Sequence, residues 1–118
     1  MNIEDVRDYC LLKNGVTEEL PFGPTALVFK VGGKMFLLAG LDSEPLTISV
    51  KTDPAWSEEL REQHAQITGA FHMNKKHWNS VLCEGVPRKL IIELIDHSYD
   101  LVLFSLRKDL REAILNAG

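Results

Sequence analysis

A chain of 118 residues suits one domain with a single core and leaves little room for a second. Its 45% hydrophobic and 25% charged residues are ordinary globular values, and no apolar run approaches the roughly 20 residues needed to cross a bilayer, so no membrane partner is expected. A net charge of −4 and a pI near 5.5 exclude a uniformly basic protein, so any field that attracts nucleic acid must be local.

The opening MNIEDVRDYC is acidic where a secretory signal would be basic and then apolar, which predicts a soluble cytoplasmic protein. Asn2 is suited to cap a first helix, with Asp5 in its first turn and Ile3, Val6 and Cys10 on one face. Asn14-Gly15 ends that helix, and PFGP at 21–24 is a rigid turn. Gly32-Gly33 separates TALVFKV from KMFLLAGL, the signature of a two-residue hairpin whose turn needs positive φ. That register sets Val31 opposite Lys34, Phe29 opposite Phe36 and Leu27 opposite Leu38. DSEP at 42–45 makes the next turn, and LTISVK alternates so that Leu46, Ile48 and Val50 point inward. Without a bulge, Leu37, Ala39 and Leu41 share the core face with that set. Phe29 and Phe36 then fall on the opposite face, beside Lys51.

Asp53-Pro54 is a helix start, a capping carboxylate followed by proline at the first helical position. Trp56, Leu60, His64 and Ile67 keep one stripe up to Thr68-Gly69. GAFHM and WNSVL then read as two short strands joined by Asn74-Lys75-Lys76-His77, with Met73 against Trp78 and Phe71 against Ser80. Trp78 is there expected to anchor the hairpin in the core. A helix through the same stretch competes, because Phe71, Trp78 and Val81 also fit a helical stripe. After Pro87, Leu90, Ile91, Leu94, Ile95, Ser98, Leu101 and Val102 keep helical spacing from about Arg88 to about Ser105. RKDLREAIL at 107–115 is a short final helix or a continuation. The order helix, three strands, helix, two strands, helix predicts an α+β domain, one antiparallel β-sheet with helices packed on one face.

The chain holds no Walker-type loop, no GxGxxG and no GxSxG, so neither nucleotide hydrolysis nor serine hydrolase chemistry is indicated. Cys10 and Cys83 are far apart and form no CxxC, which suits two buried thiols in a reducing compartment. His72, His77 and Cys83 lack metal-ligand spacing. Cys83 with His77 or His97 is a candidate nucleophile–base pair, but a small apolar thiol and unrelated histidines is the better reading, and no catalytic motif or cofactor site accompanies the pair. Charge, however, is uneven. Residues 1–24 hold Glu4, Asp5, Asp8, Glu18 and Glu19 against Arg7 and Lys13, whereas residues 71–89 hold Lys75, Lys76, Arg88 and Lys89 against Glu84. Lysines at a hairpin tip reach phosphates, and Asn74, His77 and Asn79 offer hydrogen bonds to phosphates or base edges. An anchored turn with solvated lysines explains the same stretch equally well.

PFG at 21–23, FKVGGKMF at 29–36, KTDP at 51–54, ELRE at 59–62, FHMNKKHWNSV at 71–81 and ELIDHSYDLV at 93–102 together resemble the MmcQ/YjbR family. The resemblance implies a small α+β domain related to the CyaY (frataxin-like) fold, and DNA binding by paired hairpin projections of double-wing type. Carried onto this chain, one wing tip is Gly32, Gly33 and Lys34, and the other is Asn74, Lys75, Lys76 and His77. Lys51, Asn79 and Arg88 complete the expected DNA-binding set, and binding should be weak and mostly to the backbone. The frataxin-like alternative is a metal-binding or protein-interaction module. It would use the acidic first helix, with Glu4, Asp5 and Asp8 as metal ligands, and an exposed sheet face carrying Phe29 and Phe36. A small enzyme built on His72, His77 and Trp78 ranks last.

Overall fold

The computed structural model describes residues 1–70 and 73–117. Asn2 begins α1 (Ile3–Leu11) through a reciprocal capping box: its Oδ1 accepts from the Asp5 amide at 2.8 Å, and the Asp5 carboxylate accepts from the Asn2 amide at 3.0 Å. Four strands follow, β1 (Val16–Glu19), β2 (Ala26–Val31), β3 (Lys34–Gly40) and β4 (Thr47–Lys51). Then come α2 (Pro54–Gln63), β5 (Ile67–Gly69), β6 (Trp78–Leu82), α3 (Arg88–Ser105) and α4 (Lys108–Asn116). The strands form one six-stranded antiparallel sheet in the order β1-β2-β3-β4-β6-β5. One buried cluster lies between the sheet and the helices. It joins Val6 and Cys10 of α1, Phe29, Leu37, Ile48, Val50 and Val81 of the sheet, Leu60 of α2, and Ile91, Leu94 and Ile95 of α3. The α+β class and the single antiparallel sheet are as the sequence predicts.

Four details differ. β1 is an extra edge strand, missed because VTEE carries a single apolar residue. Its Glu18 turns toward the helices and pairs with Arg7 of α1. The β2–β3 hairpin keeps Val31 opposite Lys34, but the register shifts after Lys30, so that Phe29 faces Leu37 rather than Phe36. The extra residue is Phe36, and the bulge tucks it inward. Phe29 and Phe36 are therefore both fully buried, Phe36 edge-on to Tyr99 of α3 with centroids 5.4 Å apart, and neither offers a partner face. Leu41, by contrast, is exposed. α2 stops at Gln63, because His64 takes an extended conformation that starts the approach to β5, and Ile67 is a strand residue rather than a helical one.

The fourth concerns residues 67–82. The strands Ile67–Gly69 and Trp78–Leu82 pair as a β-hairpin instead of joining one helix, with Ile67 opposite Val81 and Gly69 opposite Asn79, so the strand preceding the loop ends before Met73. The expected positions of Phe71 and His72 lie outside the described residues. Trp78 pairs across to Lys51 of β4 instead of to Met73. Helix α3 spans the expected residues, and α4 is separate from it, broken at the extended Leu106.

Candidate nucleic-acid interface

The loop before β6 is built from its own side chains. Asn74 Oδ1 accepts from the Lys76 amide at 3.0 Å, and the Asn74 carbonyl accepts from the amides of His77 and Trp78 at 3.1 and 2.9 Å. This Asx-type turn needs the asparagine for itself and presents Lys75 and Lys76, both exposed, at the tip.

Asn79 is not a surface group. It is fully enclosed on the helix side of β6, where its Nδ2 donates to Thr52 Oγ1 at 2.8 Å, to Ser57 Oγ at 3.3 Å and to the His77 carbonyl at 3.3 Å. Thr52 and Ser57 are buried beside it and hydrogen-bond to each other. Arg61 of α2 completes the network, donating from Nε to Asn79 Oδ1 at 2.9 Å and from one terminal nitrogen to the carbonyls of Lys75 and Trp78. Arg61 escapes sequence reasoning, since an arginine on a polar helix looks like any solvated side chain. Here its fork spans the Asn79 amide and the loop carbonyls, which a compact ammonium would not reach together.

The strand order decides what this loop stands beside. Phe29, Leu37, Val50, Asn79 and Gly69 form one continuous row across β2, β3, β4, β6 and β5. Beyond that row, on the same side, lie the Gly32-Gly33 turn with Lys34, the end of β4 at Lys51, and the loop at 73–77. Both expected wing tips and Lys51 thus project from one end of the sheet. Helix α3 fixes that end: Ser98 Oγ accepts from the Lys51 amide at 2.8 Å and donates to the Phe36 carbonyl. Leu106 packs so closely on Gly32 that a Cβ there would stand 2.5 Å from its Cδ1. That contact brings the exposed Arg107 and Lys108 to the same corner, two basic residues that the sequence placed only in a final helix.

Arg88 does not join them. It lies at the start of α3, 3.8 Å from Asp5, at the far end of the sheet. There the start of α1, the β3–β4 turn and the residues after β6 surround an open cleft of about 490 Å³ that includes Glu44 and Glu84. Lys34, Lys51, Lys75, Lys76, Arg107 and Lys108 thus gather at one end, whereas Glu4, Asp5, Asp42, Glu44 and Glu84 lie at the other together with Arg88. Asp53 and Asp109 are the acidic residues closest in sequence to the basic set. Asp53 caps α2 through the Ala55 amide, and Asp109 pairs with Arg107 at 3.4 Å.

The alternative chemistries find no such convergence. Asp5 is engaged by its capping box and Arg88, and among the described residues no group of three or more His, Cys, Asp or Glu could hold a metal ion. Cys83 follows β6 at the far end, away from His77 and from His97, whose Nε2 accepts from the Asp53 amide at 3.1 Å. Burial pushes the Cys83 thiol up to about 11 and the Cys10 thiol up to about 12, the reverse of what a nucleophile requires. Any role of His72 lies outside the described residues.

Trp78 is half-buried, and not in the core. The alternation that turns Asn79 and Val81 to the helices turns Trp78, Ser80 and Leu82 to the open face of the sheet.

The YjbR family model matches residues 11–101. Protein YbdF of Escherichia coli O157:H7 is 42% identical over 90 residues, 75% of this chain and 73% of that protein. Protein YjbR of Escherichia coli strain K12 is 29% identical over 116 residues, 98% of each chain. Among solved structures, the Deinococcus radiodurans protein DR2400, which has a DUF419 domain, superposes with a TM-score of 0.90 at 38% identity over 96% of this chain and 87% of its own. A Pseudomonas syringae protein superposes with a TM-score of 0.74 at 28% identity over 86% of this chain and 99% of its own.

Proposed function

The chain belongs to the MmcQ/YjbR family, and from that premise we propose that it binds DNA through the sugar–phosphate backbone, using the basic end of its sheet. The observation that carries this reading is the meeting of two turns, a strand end and a helix junction, distant in sequence, with Lys34, Lys51, Lys75, Lys76, Arg107 and Lys108 exposed or half-exposed there. A cationic end on a chain of net charge −4 orients the protein toward a polyanion while its acidic end faces away. Asn74, Asn79 and Arg61 serve as positioning residues, since their hydrogen bonds hold the loop that presents the lysines. The two buried thiols suit a cytoplasmic protein.

Lysines act as point charges on phosphates and carry no sequence code, so recognition is of backbone rather than bases. The test is anisotropy of a labelled duplex at low salt. Lys75→Glu with Lys76→Glu should abolish binding, whereas Arg88→Glu at the far end should leave it intact. No binding by the wild-type chain, or equal loss in both variants, overturns the reading.

A further inference from the structure

The face of the sheet away from the helices is a second surface continuous with the basic end. Its strand residues include Thr17 and Glu19 of β1, Lys30 of β2, Met35 and Leu38 of β3, Thr47 and Lys51 of β4, Thr68 of β5, and Trp78, Ser80 and Leu82 of β6, with Val28 and Ser49 buried among them. Three properties distinguish it. Trp78 and Lys51 are direct cross-strand partners, both partly exposed, in the row nearest the lysine-bearing turns. The next row, two residues on, sets Ser49, Ser80 and Thr68 side by side across β4, β6 and β5; Ser49 is buried, and the hydroxyls of Ser80 and Thr68 stand at the surface. Glu19 is the sole acidic residue among the strand residues on this face, and its carboxylate pairs with Lys30.

We propose that this face binds a single-stranded nucleic-acid segment, with one base stacked on the Trp78 indole, its phosphates met by Lys51 and the neighbouring turn lysines, and its polar edges met by the hydroxyls of Ser80 and Thr68. The inference rests on the nucleic-acid-binding reading and assigns it a strand state. An indole offers a π-face to any base without sequence preference, and the cation beside it neutralises the adjoining phosphate. In a duplex the bases are paired and stacked on one another, so a flat sheet face with one aromatic residue cannot reach them. An extended single strand lays its bases flat on such a platform.

Trp56→Phe leaves Trp78 as the only tryptophan, since the chain has two. In that background, oligothymidylate should quench the fluorescence and bind more tightly than a duplex of equal length at the same salt. Trp78→Ala should weaken oligothymidylate binding by about tenfold or more and change duplex binding by less than about twofold. Ser80→Glu adds a negative charge to the open face without removing the indole, and should have the same selective effect. Duplex binding with no preference for oligothymidylate and no quenching overturns this inference and leaves the DNA-binding reading standing. Failure to bind either probe removes both. Equal losses on both probes in Trp78→Ala and Ser80→Glu also overturn it.

Discussion

Arg61 Nε stands 2.9 Å from Oδ1 of Asn79, so a helix side chain reaches past the protein surface to a fully buried amide and fixes the lysine-bearing loop from beneath. Among the described residues, no buried side-chain nitrogen or oxygen lacks a partner, and this network is the reason at that end of the core. Asn79→Leu fills the space but strips Arg61, Thr52 and Ser57 of their shared partner. Orphaning buried polar groups costs about 1–3 kcal/mol each, less whatever Thr52 and Ser57 recover from each other, so a net loss of about 2–3 kcal/mol is expected. Urea unfolding should show a lower midpoint at an unchanged slope. Arg61→Lys should recover little of the Arg61→Ala loss, because a single nitrogen cannot stand both where Nε meets Asn79 and where the terminal nitrogen meets the two carbonyls.

The two turn glycines should respond differently to alanine. Both have positive φ, 58° at Gly32 and 81° at Gly33, a conformation that costs an alanine about 1 kcal/mol. Nothing lies within 4 Å of a Cβ at Gly33, whereas at Gly32 it would meet the buried Leu106 side chain. Gly33→Ala should cost about 1 kcal/mol and Gly32→Ala distinctly more. Equal midpoints in thermal unfolding would show that Leu106 yields freely and that the turn is not pinned to the α3–α4 junction.

The stability of the fold should fall at alkaline pH. Burial raises the Cys10 thiol from its ordinary 9.0 to about 12 and the Cys83 thiol to about 11. Tyr9 rises from 10.0 to about 12, through burial and then through the hydrogen bond that its hydroxyl donates to Asp96 at 2.6 Å. Each group holds its proton more tightly folded than unfolded. Its contribution is fully present below pH 9 and is lost as pH rises toward 12. Denaturant midpoints measured from pH 8 to 11 should decline, and Cys10→Ala with Cys83→Ala should flatten the decline. Neither thiol of the native protein should react appreciably with an alkylating reagent at pH 8, while both should react once it is unfolded.

Much of the fold is legible in the residues themselves, because local signals and tertiary packing agree there. Asn2 and Asp5 announce a helix start, Gly32-Gly33 a hairpin, and the alternation of Ile48 and Val50 a half-buried strand. What escapes is whatever depends on a neighbour far along the chain. The bulge at Phe36 leaves no mark in the sequence, yet it inverts the reading of two aromatic side chains. The lysines of the candidate site are recognisable by type, but their convergence requires β6 to lie between β4 and β5, and nothing local specifies that order. Asn79 looks like a ligand-seeking amide until its partners Thr52, Ser57 and Arg61 are seen around it. Arg107 and Lys108 acquire meaning only because Leu106 packs on Gly32.

Duplex affinity should fall steeply with salt, and its slope should count the contacts. Each phosphate neutralised contributes about 0.9 to the slope of log affinity against log salt. Lys34, Lys51, Lys75, Lys76, Arg107 and Lys108 are the candidate contacts, of which a single backbone path engages a subset. With three to five engaged, the slope is roughly −3 to −4.5, and binding fades near physiological salt. Lys76→Gln and Lys108→Gln should each flatten the slope by about 0.9 if their residue is engaged, at less than about 0.5 kcal/mol in stability, since both side chains are exposed. Arg88→Gln should leave the slope unchanged, because Arg88 lies beside Asp5 at the far end. A slope that responds to Arg88 and not to Lys76 or Lys108 would move the interface to the opposite end of the molecule.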